Sequence, residues 1–367
     1  MKYLDLDFNV YKEDLVTGRF VSNEDIETFL KKPKLVKTFE LLGCSVENRN
    51  VYGIRLGKGQ IKILIWSQMH GNESTTTKGL LDFINFLLGD DLRAKNYLEN
   101  VTLLILPLLN PDGAEKYTRV NANGIDLNRD AIDLSQPESV IIREAYNNFK
   151  PDFCFNLHDQ RTIFSAGTGK YPATISFLTP AYNKACEVDS SREKSMKLIA
   201  CLHKTLSNLI PKQIGRYDDA YNPNCLGDTF QSLGTPTVLF EAGHYPKDYE
   251  REITRSLISY ALFEALDVIT TNKFEKVRVE DYFKIPENKK LYFDVLIKNT
   301  SCISSKYMDE IGVLYKEVLV KDRITFVPKV EKEGNLKEYY GHKELDCLNA
   351  KDLKILKNDS DLWGLIF

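Results

Sequence analysis

The sequence predicts an α/β fold: a mixed, largely parallel twisted sheet with helices on both faces, followed by a small β-rich C-terminal unit. Two observations support this prediction. Up to about residue 274, short apolar segments alternate with segments of helical periodicity, the pattern of buried strands covered on both faces. Beyond that point, β-like segments are separated by charged turns. We therefore expect a larger α/β domain at residues 1–274 and a small β-rich C-terminal domain at residues 275–367.

Local patterns predict the elements in order. Residues 1–50 are predicted to be helical and turn-rich, with a helix at 23–32. Residues 51–56 and 61–66 are predicted to form a hairpin-like pair around Gly57-Lys58-Gly59. The remaining predictions are a helix at 74–88, strands at 101–106, 153–157 and 237–240, a helix around 195–209, and C-terminal strands at 291–297, 313–320 and 324–327.

Composition excludes several classes of partner. The net charge of −3 and the pI of about 6.1 give no reason to expect nucleic acid or an anionic membrane as a partner. The first residues lack the basic and apolar regions of a signal peptide, and no apolar run is long enough to span a membrane. The seven cysteines are scattered without a CxxC pair, which favours reduced thiols. We expect a cytoplasmic protein.

The first chemical motif is His70-Gly71-Asn72-Glu73, directly after the predicted strand at 61–66. On a turn after a strand, His70 and Glu73 can converge on one ion, and zinc accepts nitrogen and oxygen ligands of this kind. Open α/β sheets bind ligands at the carboxyl ends of their strands. The alternative for such a short motif is a purely structural pair.

Two further residues end apolar segments. His158 closes the segment 153–157 and supplies the third ligand that a catalytic zinc site needs; the alternative is a hydrogen-bonded core histidine. Glu241 ends the segment 237–240. A carboxylate there is either part of a salt bridge or a general base that takes a proton from zinc-activated water.

The loop at 110–129 carries candidate substrate contacts. Arg119, Asn128 and Arg129 lie close together behind a predicted strand end. Guanidinium groups bind carboxylates through two parallel hydrogen bonds and can also stabilise an oxyanion. The loop is therefore expected to hold a terminal carboxylate or the developing charge of an amide under attack.

Taken together, these segments resemble the zinc carboxypeptidase superfamily, peptidase family M14. The matching motifs are HGNE at 70–73, NPDG at 110–113, GIDLNR at 124–129, NLH at 156–158 and FEAG at 240–243. The resemblance covers roughly residues 40–245. It implies the zinc carboxypeptidase fold, one Zn²⁺ per chain, and a peptide or acyl-amino-acid substrate with a free carboxylate.

The resemblance also implies a role for each matched residue. Its zinc ligands match His70, Glu73 and His158, and its catalytic glutamate matches Glu241. Asn128 and Arg129 match the pair that binds the substrate carboxylate, and Asp126 matches the acid beside a zinc-bound histidine. Arg119 is the first candidate for the arginine at the scissile carbonyl, and Lys116 is the second. Tyr221 is the first candidate for a mobile tyrosine that closes over the substrate, and Tyr217 is the second.

One departure bears on the substrate. Digestive carboxypeptidases have an arginine where this chain has Asn72, and the run at 118–129 resembles that of cytoplasmic murein-peptide amidases. The sequence predicts amide hydrolysis by zinc-activated water, with the floor of the side-chain pocket near residues 225–232. The alternatives are an N-acyl amino acid deacylase of the desuccinylase or aspartoacylase type and a non-catalytic binding protein on the same fold. We expect no chemistry in the C-terminal unit, which either shapes the cleft or mediates self-association.

Overall fold

A computed structural model describes residues 2–3 and 6–367 of the chain. The strands are β1 (Lys2–Tyr3), β2 (Leu6–Asp7), β3 (Phe39–Cys44), β4 (Asn50–Gly57), β5 (Ile61–Ser67), β6 (Val101–Leu106), β7 (Phe153–Asp159), β8 (Phe164–Ala166), β9 (Ile175–Leu178), β10 (Ile214–Arg216), β11 (Thr237–Ala242), β12 (Asn288–Lys290), β13 (Tyr292–Lys298), β14 (Glu310–Val320), β15 (Arg323–Gly334) and β16 (Tyr340–Asp346). The α-helices are α1 (Asn23–Leu30), α2 (Thr75–Leu87), α3 (Leu92–Asn100), α4 (Pro111–Lys116), α5 (Pro137–Phe149), α6 (Ser190–Leu206), α7 (Leu226–Ser232), α8 (Glu252–Thr270), α9 (Val279–Phe283), α10 (Ala350–Asn358) and α11 (Ser360–Ile366).

The main sheet has eight strands in the order β10-β9-β11-β7-β5-β6-β4-β3. Its four central strands, β11, β7, β5 and β6, are mutually parallel, whereas β3, β4 and β9 introduce antiparallel pairs. Parallel neighbours end at the same edge of a sheet, so the chain segments after β5, β7 and β11 meet there. The predicted mixed, largely parallel sheet is confirmed.

Helices cover both faces of this sheet. Alternate side chains of a strand point to opposite faces, and in β5 Ile63 and Ile65 join the core that contains α2 and α8. Leu64 and Trp66 instead join the core that contains α5 and α7. A central strand buried on both sides needs a nearly continuous apolar sequence, which explains why β5 was predictable.

The predicted hairpin between residues 51–56 and 61–66 is wrong. Strand β6 lies between β4 and β5, so the two segments share no ladder. The glycines between them serve another purpose. Gly57 has a φ of +83°, and a β-carbon there would lie 2.1 Å from the carbonyl oxygen of Val101. The turn needs glycine because the backbone entering β6 passes against it.

The C-terminal unit contains the predicted strands and more. Its four-stranded sheet has the order β15-β14-β13-β16, and α10 and α11 cover one face around Val295, Ile311 and Leu362. Strand β16, both helices and the early strand β3 were not predicted. Strand β16 reads YGHKELD and buries only Gly341 and Leu345, so it lacks the apolar alternation by which strands are recognised.

The C-terminal strands also pack against the rest of the chain. Phe293, Leu296 and Leu314 form a small core to which Ile163, just before β8, contributes. The division between residues 274 and 275 stays a prediction. Within residues 2–3 and 6–367, no helix has the length and apolar character needed to cross a membrane.

Candidate metal centre

Three adjacent strands bring the predicted ligands and base together. His70 follows β5, while His158 and Glu241 lie at the ends of β7 and β11. In the parallel ladder between β7 and β11, Glu241 is the direct partner of His158. The sheet itself therefore positions these groups, with no loop rearrangement needed to join them.

The side chains of His70, Glu73 and His158 form a compact cluster. One potential ligand atom from each lies within 4.8 Å of the others. The Nδ1 of His70 is 2.9 Å from Glu73 Oε1, the Nδ1 of His158 is 2.8 Å from Glu73 Oε2, and the two Nδ1 atoms are 3.1 Å apart. Both imidazoles thus turn the same ring nitrogen toward one point.

Close backbone packing fixes the loop that carries His70. A β-carbon at Gly71 would lie 1.9 Å from the carbonyl carbon of Gly113, so the HGNE and NPDG segments are in backbone contact. The Asn110 side chain secures this contact. Its Nδ2 donates to the Met69 carbonyl at 3.1 Å, and its Oδ1 accepts from the Gly113 amide at 2.8 Å.

Asp126 and Arg119 surround the outer side of the cluster. Asp126 Oδ1 is 3.1 Å from Nε2 of His70, an arrangement that favours a proton on Nε2 and leaves the Nδ1 lone pair facing the cluster. Arg119 donates from Nε to Asp126 Oδ2 at 3.0 Å and from Nη1 to Glu73 Oε1 at 3.3 Å. Lys116, the second candidate for this position, instead pairs with Glu47 at the surface.

Electrostatics favour an ionised Glu73 and a neutral His158; for His70, burial opposes protonation, but Glu73 and Asp126 outweigh it and raise its pKa. Burial opposes ionisation of Glu73, but the two histidines outweigh it and hold the pKa of Glu73 below its usual range. Burial lowers the pKa of His158, which keeps its imidazole neutral. Burial also opposes ionisation of Asp126, yet its hydrogen bond and attraction to His70 hold the pKa of Asp126 below its usual range.

This donor set fits zinc. Two neutral imidazoles and a carboxylate make a known catalytic zinc ligand set, which leaves one position for water. With the proton of His70 on Nε2 toward Asp126, its Nδ1 lone pair faces the Glu73 carboxylate, and a cation between these two acceptors would satisfy both. Among the described residues, this is the one group of three or more His, Cys, Asp or Glu side chains in which ligand atoms converge so closely.

Glu241 lies beside the cluster, and one of its carboxyl oxygens makes no hydrogen bond within the described part of the chain. This oxygen, Oε2, is buried. Burial, reinforced by the negative charges of Glu73 and Asp159, raises the pKa of Glu241 well above its usual value. A bound cation would offset this repulsion, so the group is suited to exchanging a proton.

A cavity of about 340 Å³ opens beside Glu241. Asn128 and Arg129 line it, and the Arg129 Nη1 contacts the Asn128 carbonyl at 2.6 Å and the Cys225 Sγ at 3.1 Å. The Asn128 Oδ1 accepts from the Leu226 amide at 2.9 Å. Cys225, Gly227 and Asp228 also line the cavity, and burial raises the pKa of Asp228 to about 6. These three residues belong to the segment predicted to floor the side-chain pocket.

The two tyrosine candidates occupy different places. Tyr217 lines the cavity, and its ring packs edge-on against Phe164. Burial, together with the charges of Glu241 and Glu73, raises its pKa. Tyr221 is half-buried and is absent from the cavity wall. Assignment of either residue as the closing tyrosine stays a prediction.

Two supporting residues escaped the sequence reasoning. The Asp159 carboxylate accepts from the Thr75 and Thr76 amides at the start of α2, while its own amide donates to Glu73 Oε2 at 3.2 Å. Arg251 donates to the carbonyls of Ala242 and Gln160, both at 2.6 Å. Asp159 directly follows His158, which was a usable signal, whereas nothing near Arg251 in the sequence indicates its position.

Comparison with known proteins agrees with this geometry. Residues 24–176 match the family model described as zinc carboxypeptidase. The matched segment contains His70, Glu73 and His158 and ends before Glu241. This segment matches a zinc carboxypeptidase domain. The predicted resemblance to that family is therefore confirmed over residues 24–176.

Relatives and solved structures extend this result. The chain is 32% identical over 188 residues to "Probable carboxypeptidase 2" of Trichophyton verrucosum, covering 50% of this chain and 34% of that protein. It is 28% identical over 165 residues to human "Carboxypeptidase D", covering 36% of this chain and 12% of that protein. The chain thus spans about a third or less of these relatives.

Two solved structures share the fold. The metallo-carboxypeptidase of Burkholderia cenocepacia aligns with a TM-score of 0.54 and 19% identity over 70% of both chains. That of Pseudomonas aeruginosa, in complex with (2-guanidinoethylmercapto)succinic acid, aligns with a TM-score of 0.54 and 17% identity over 68% of this chain and 69% of that one. At these identities the likeness supports the fold.

Proposed function

We propose that the chain is a zinc-dependent metallocarboxypeptidase that hydrolyses an amide bond next to a free carboxylate. The observation that carries this proposal is the position of Glu241. Its unpartnered carboxyl oxygen lies at the end of β11, opposite His158 in the ladder and beside the cavity lined by Arg129. A metal ligand set, a base and a carboxylate-binding group thus share one cleft.

In this proposal, His70, Glu73 and His158 hold zinc, which when bound polarises the scissile carbonyl and lowers the pKa of a water molecule. Glu241 accepts the proton of the attacking water as the oxygen bonds to the carbonyl carbon. It returns that proton to the leaving amine as the carbon–nitrogen bond breaks. Arg119 stabilises the oxyanion through Nη2, which has no protein partner among the described residues.

Arg129 and Asn128 hold the substrate's carboxylate. A charge-assisted guanidinium–carboxylate pair fixes both the position and the orientation of the terminal residue. Tyr221, or Tyr217 from the cavity wall, closes over the bound substrate. Asp126 keeps His70 in the tautomer that leaves Nδ1 free.

The decisive experiment uses Glu241→Gln in the zinc-loaded protein. The amide keeps the shape of the side chain but cannot carry the proton, so kcat should fall by about 10³-fold while zinc content is unchanged. Glu144→Gln, on the exposed face of α5, is the matched control. Substrates are peptides with a free C-terminus, the same peptides amidated, murein fragments and N-acyl amino acids.

The outcomes separate the candidate functions. Full activity in Glu241→Gln would remove the residue from the mechanism. Hydrolysis of N-acyl amino acids without any peptide cleavage would replace the proposal with a deacylase. If native protein contained no stoichiometric zinc and showed no turnover, the remaining candidate would be a non-catalytic binding protein on the same fold.

The state of the thiols supports a proposal for the compartment. All seven cysteines are free in the structure, and three of them, Cys154, Cys201 and Cys347, are buried. Since free thiols persist where glutathione keeps them reduced, we infer that the protein works in the cytoplasm.

A further inference from the structure

A second cavity, of about 470 Å³, meets the first at the metal cluster. The two cavities share Glu73, Arg119, Asp159, Gln160 and Arg161 as lining residues. They are therefore two ends of one groove, with the cluster at their junction. The volume of the second cavity falls within the range of ligand-binding pockets.

The direction of a substrate in this groove follows from the proposed function, on which this inference rests. Arg129 and Glu241 line only the first cavity. If the terminal carboxylate lies at Arg129 and the scissile bond at the cluster, the acyl part of the substrate must extend into the second cavity. That cavity is the one bordered by the C-terminal unit.

The hairpin of β14 and β15 forms much of its wall. Leu314, Tyr315, Lys316 and Glu317 line the cavity from β14, and Phe326, Lys329 and Glu331 line it from β15. The rings of Tyr315 and Phe326 each pack against Tyr249, both at 5.4 Å between centroids. This aromatic patch provides an apolar surface for the backbone and aliphatic parts of a ligand.

An ion pair fastens the hairpin beside the metal cluster. Arg19, only 4% exposed, lies 3.0 Å from Glu317, which also accepts a hydrogen bond from the Tyr117 hydroxyl. Burial opposes ionisation of Glu317, but Arg19 and Arg251 outweigh it and lower its pKa. Tyr117 lies two residues before Arg119, so the hairpin is held next to the chain segment that reaches the cluster.

The remaining charges of the cavity are predominantly positive. The side chains of Arg161, Lys316 and Lys329 are exposed and form no ion pair or hydrogen bond with the described residues, whereas the side chain of Glu331 is the single anion in the same state. The other charged lining residues are engaged. Arg119 bonds Glu73, Arg251 lies 4.0 Å from Asp159, and Asp294 accepts from the Tyr249 hydroxyl.

We propose that the C-terminal hairpin completes the acyl side of the substrate groove and selects peptides with an acidic side chain on that side of the scissile bond. Lys316 and Lys329 supply the attraction from the hairpin, and Arg161 supplies it from the segment after β7. The C-terminal unit is thereby part of the binding site, although it contributes no group to the chemistry.

The test compares two peptides that share the same C-terminal residue and differ only by Glu or Gln in the residue before it. The wild-type protein should show a higher kcat/KM for the Glu peptide, by about tenfold for two added charge contacts. In the double variant Lys316→Ala/Lys329→Ala, this ratio should fall several-fold toward one, leaving only the contribution of Arg161. Lys354→Ala, which removes an exposed side chain on α10 that has no partner among the described residues, should retain the wild-type ratio.

Direct binding keeps this inference separable from the proposed function. Calorimetry with zinc-loaded protein measures the affinity for the two peptides lacking their C-terminal residue, which correspond to the acyl products. The inference is supported if the acidic product binds more tightly than the neutral one, and if this difference is reduced in the double variant and by added salt. This result would hold even if no peptide is cleaved. Turnover with equal kcat/KM and equal product affinity for both peptides would overturn it and leave the proposed function intact.

Discussion

The two ends of the groove differ in how their working groups are held. At the end that contains Arg129 and Glu241, strand ends and the short segments following them carry the side chains, and the sheet sets their positions. At the other end, the wall is assembled from segments far apart in the sequence, fastened by the contact of Arg19 with Glu317. Changes at the first end should therefore affect the chemical step or the metal, whereas changes at the second should affect selectivity and stability.

The largest expected effect comes from removing a ligand. His158→Ala should reduce bound zinc from about one ion per chain to near zero, with at least about a 10³-fold loss of activity, because two donors hold a catalytic zinc poorly. Metal analysis and turnover measure this. His203→Ala, in α6 and outside both cavities, serves as the control. Full zinc occupancy in the His158 variant would contradict the assigned ligand set.

The next effect concerns the terminal carboxylate. Arg129→Ala should lower kcat/KM by about 100-fold for peptides with a free C-terminus, since a charge-assisted pair is lost. For amidated peptides, which cannot form that pair, kcat/KM should be nearly the same in the variant and in the wild-type protein. Arg323→Ala, exposed at the start of β15, is the control. Equal losses on both kinds of peptide would assign Arg129 a structural role instead.

A smaller effect should appear at acidic pH, where the C-terminal strands meet the rest of the chain. His342 in β16 stacks on Tyr292 at 4.5 Å and lies 4.1 Å from the His244 ring. Burial lowers the pKa of His342 from 6.5 to about 4. Between pH 6.5 and about pH 4, His342 is therefore protonated in the unfolded chain but neutral in the folded chain. The free energy of unfolding falls as the pH falls through this range.

That loss should be about 2 kcal/mol between pH 6.5 and 5 for this histidine. Chemical denaturation at several pH values measures the unfolding free energy. His342→Gln should flatten the pH dependence by that amount, leaving the contribution of His244, whose pKa burial also lowers. An unchanged slope in the variant would show that His342 titrates normally in the folded state.

The smallest expected effect tests the fastening of the hairpin. Glu317→Gln should lower the unfolding free energy by about 1 kcal/mol, because the amide retains hydrogen bonds but loses the charge that Arg19 faces. It should also reduce the preference for acidic peptides by loosening the wall. Glu333→Gln, exposed on the other strand of the hairpin, β15, should do neither. If Glu317→Gln kept both the unfolding free energy and the selectivity of the wild-type protein, the ion pair would have no role in holding the hairpin or in substrate binding.

The sequence was informative where burial leaves a strong pattern. Strands β5, β7 and β11 are apolar over most of their length, and the polar residues that end them were identified as site residues because a carboxylate or imidazole after such a run needs a partner. The order of the strands was not predictable in the same way. Nothing in residues 51–67 indicates that β6, which begins at Val101, would separate β4 from β5.

The acyl side of the groove lay beyond sequence reasoning for a related physical reason. Arg19, Tyr117 and Glu317 each look like ordinary surface residues in their local sequence, and only the folded chain brings them together. Lys329 and Lys316 likewise read as the solvent-facing positions of a strand. The prediction of no chemistry in the C-terminal unit stays untested, while the structure does place that unit on the cleft.

The spacing of the proposed metal ligands along the chain links metal loading to folding. Glu73 and His158 are 85 positions apart, so the donor set does not exist until β7 has paired beside β5. A ligand that binds only the folded state stabilises it by mass action, by about 2.7 kcal/mol when its free concentration is 100 times its dissociation constant. The thermal resistance of this protein should therefore vary with the zinc supply, and a chelator would lower it without altering a single covalent bond.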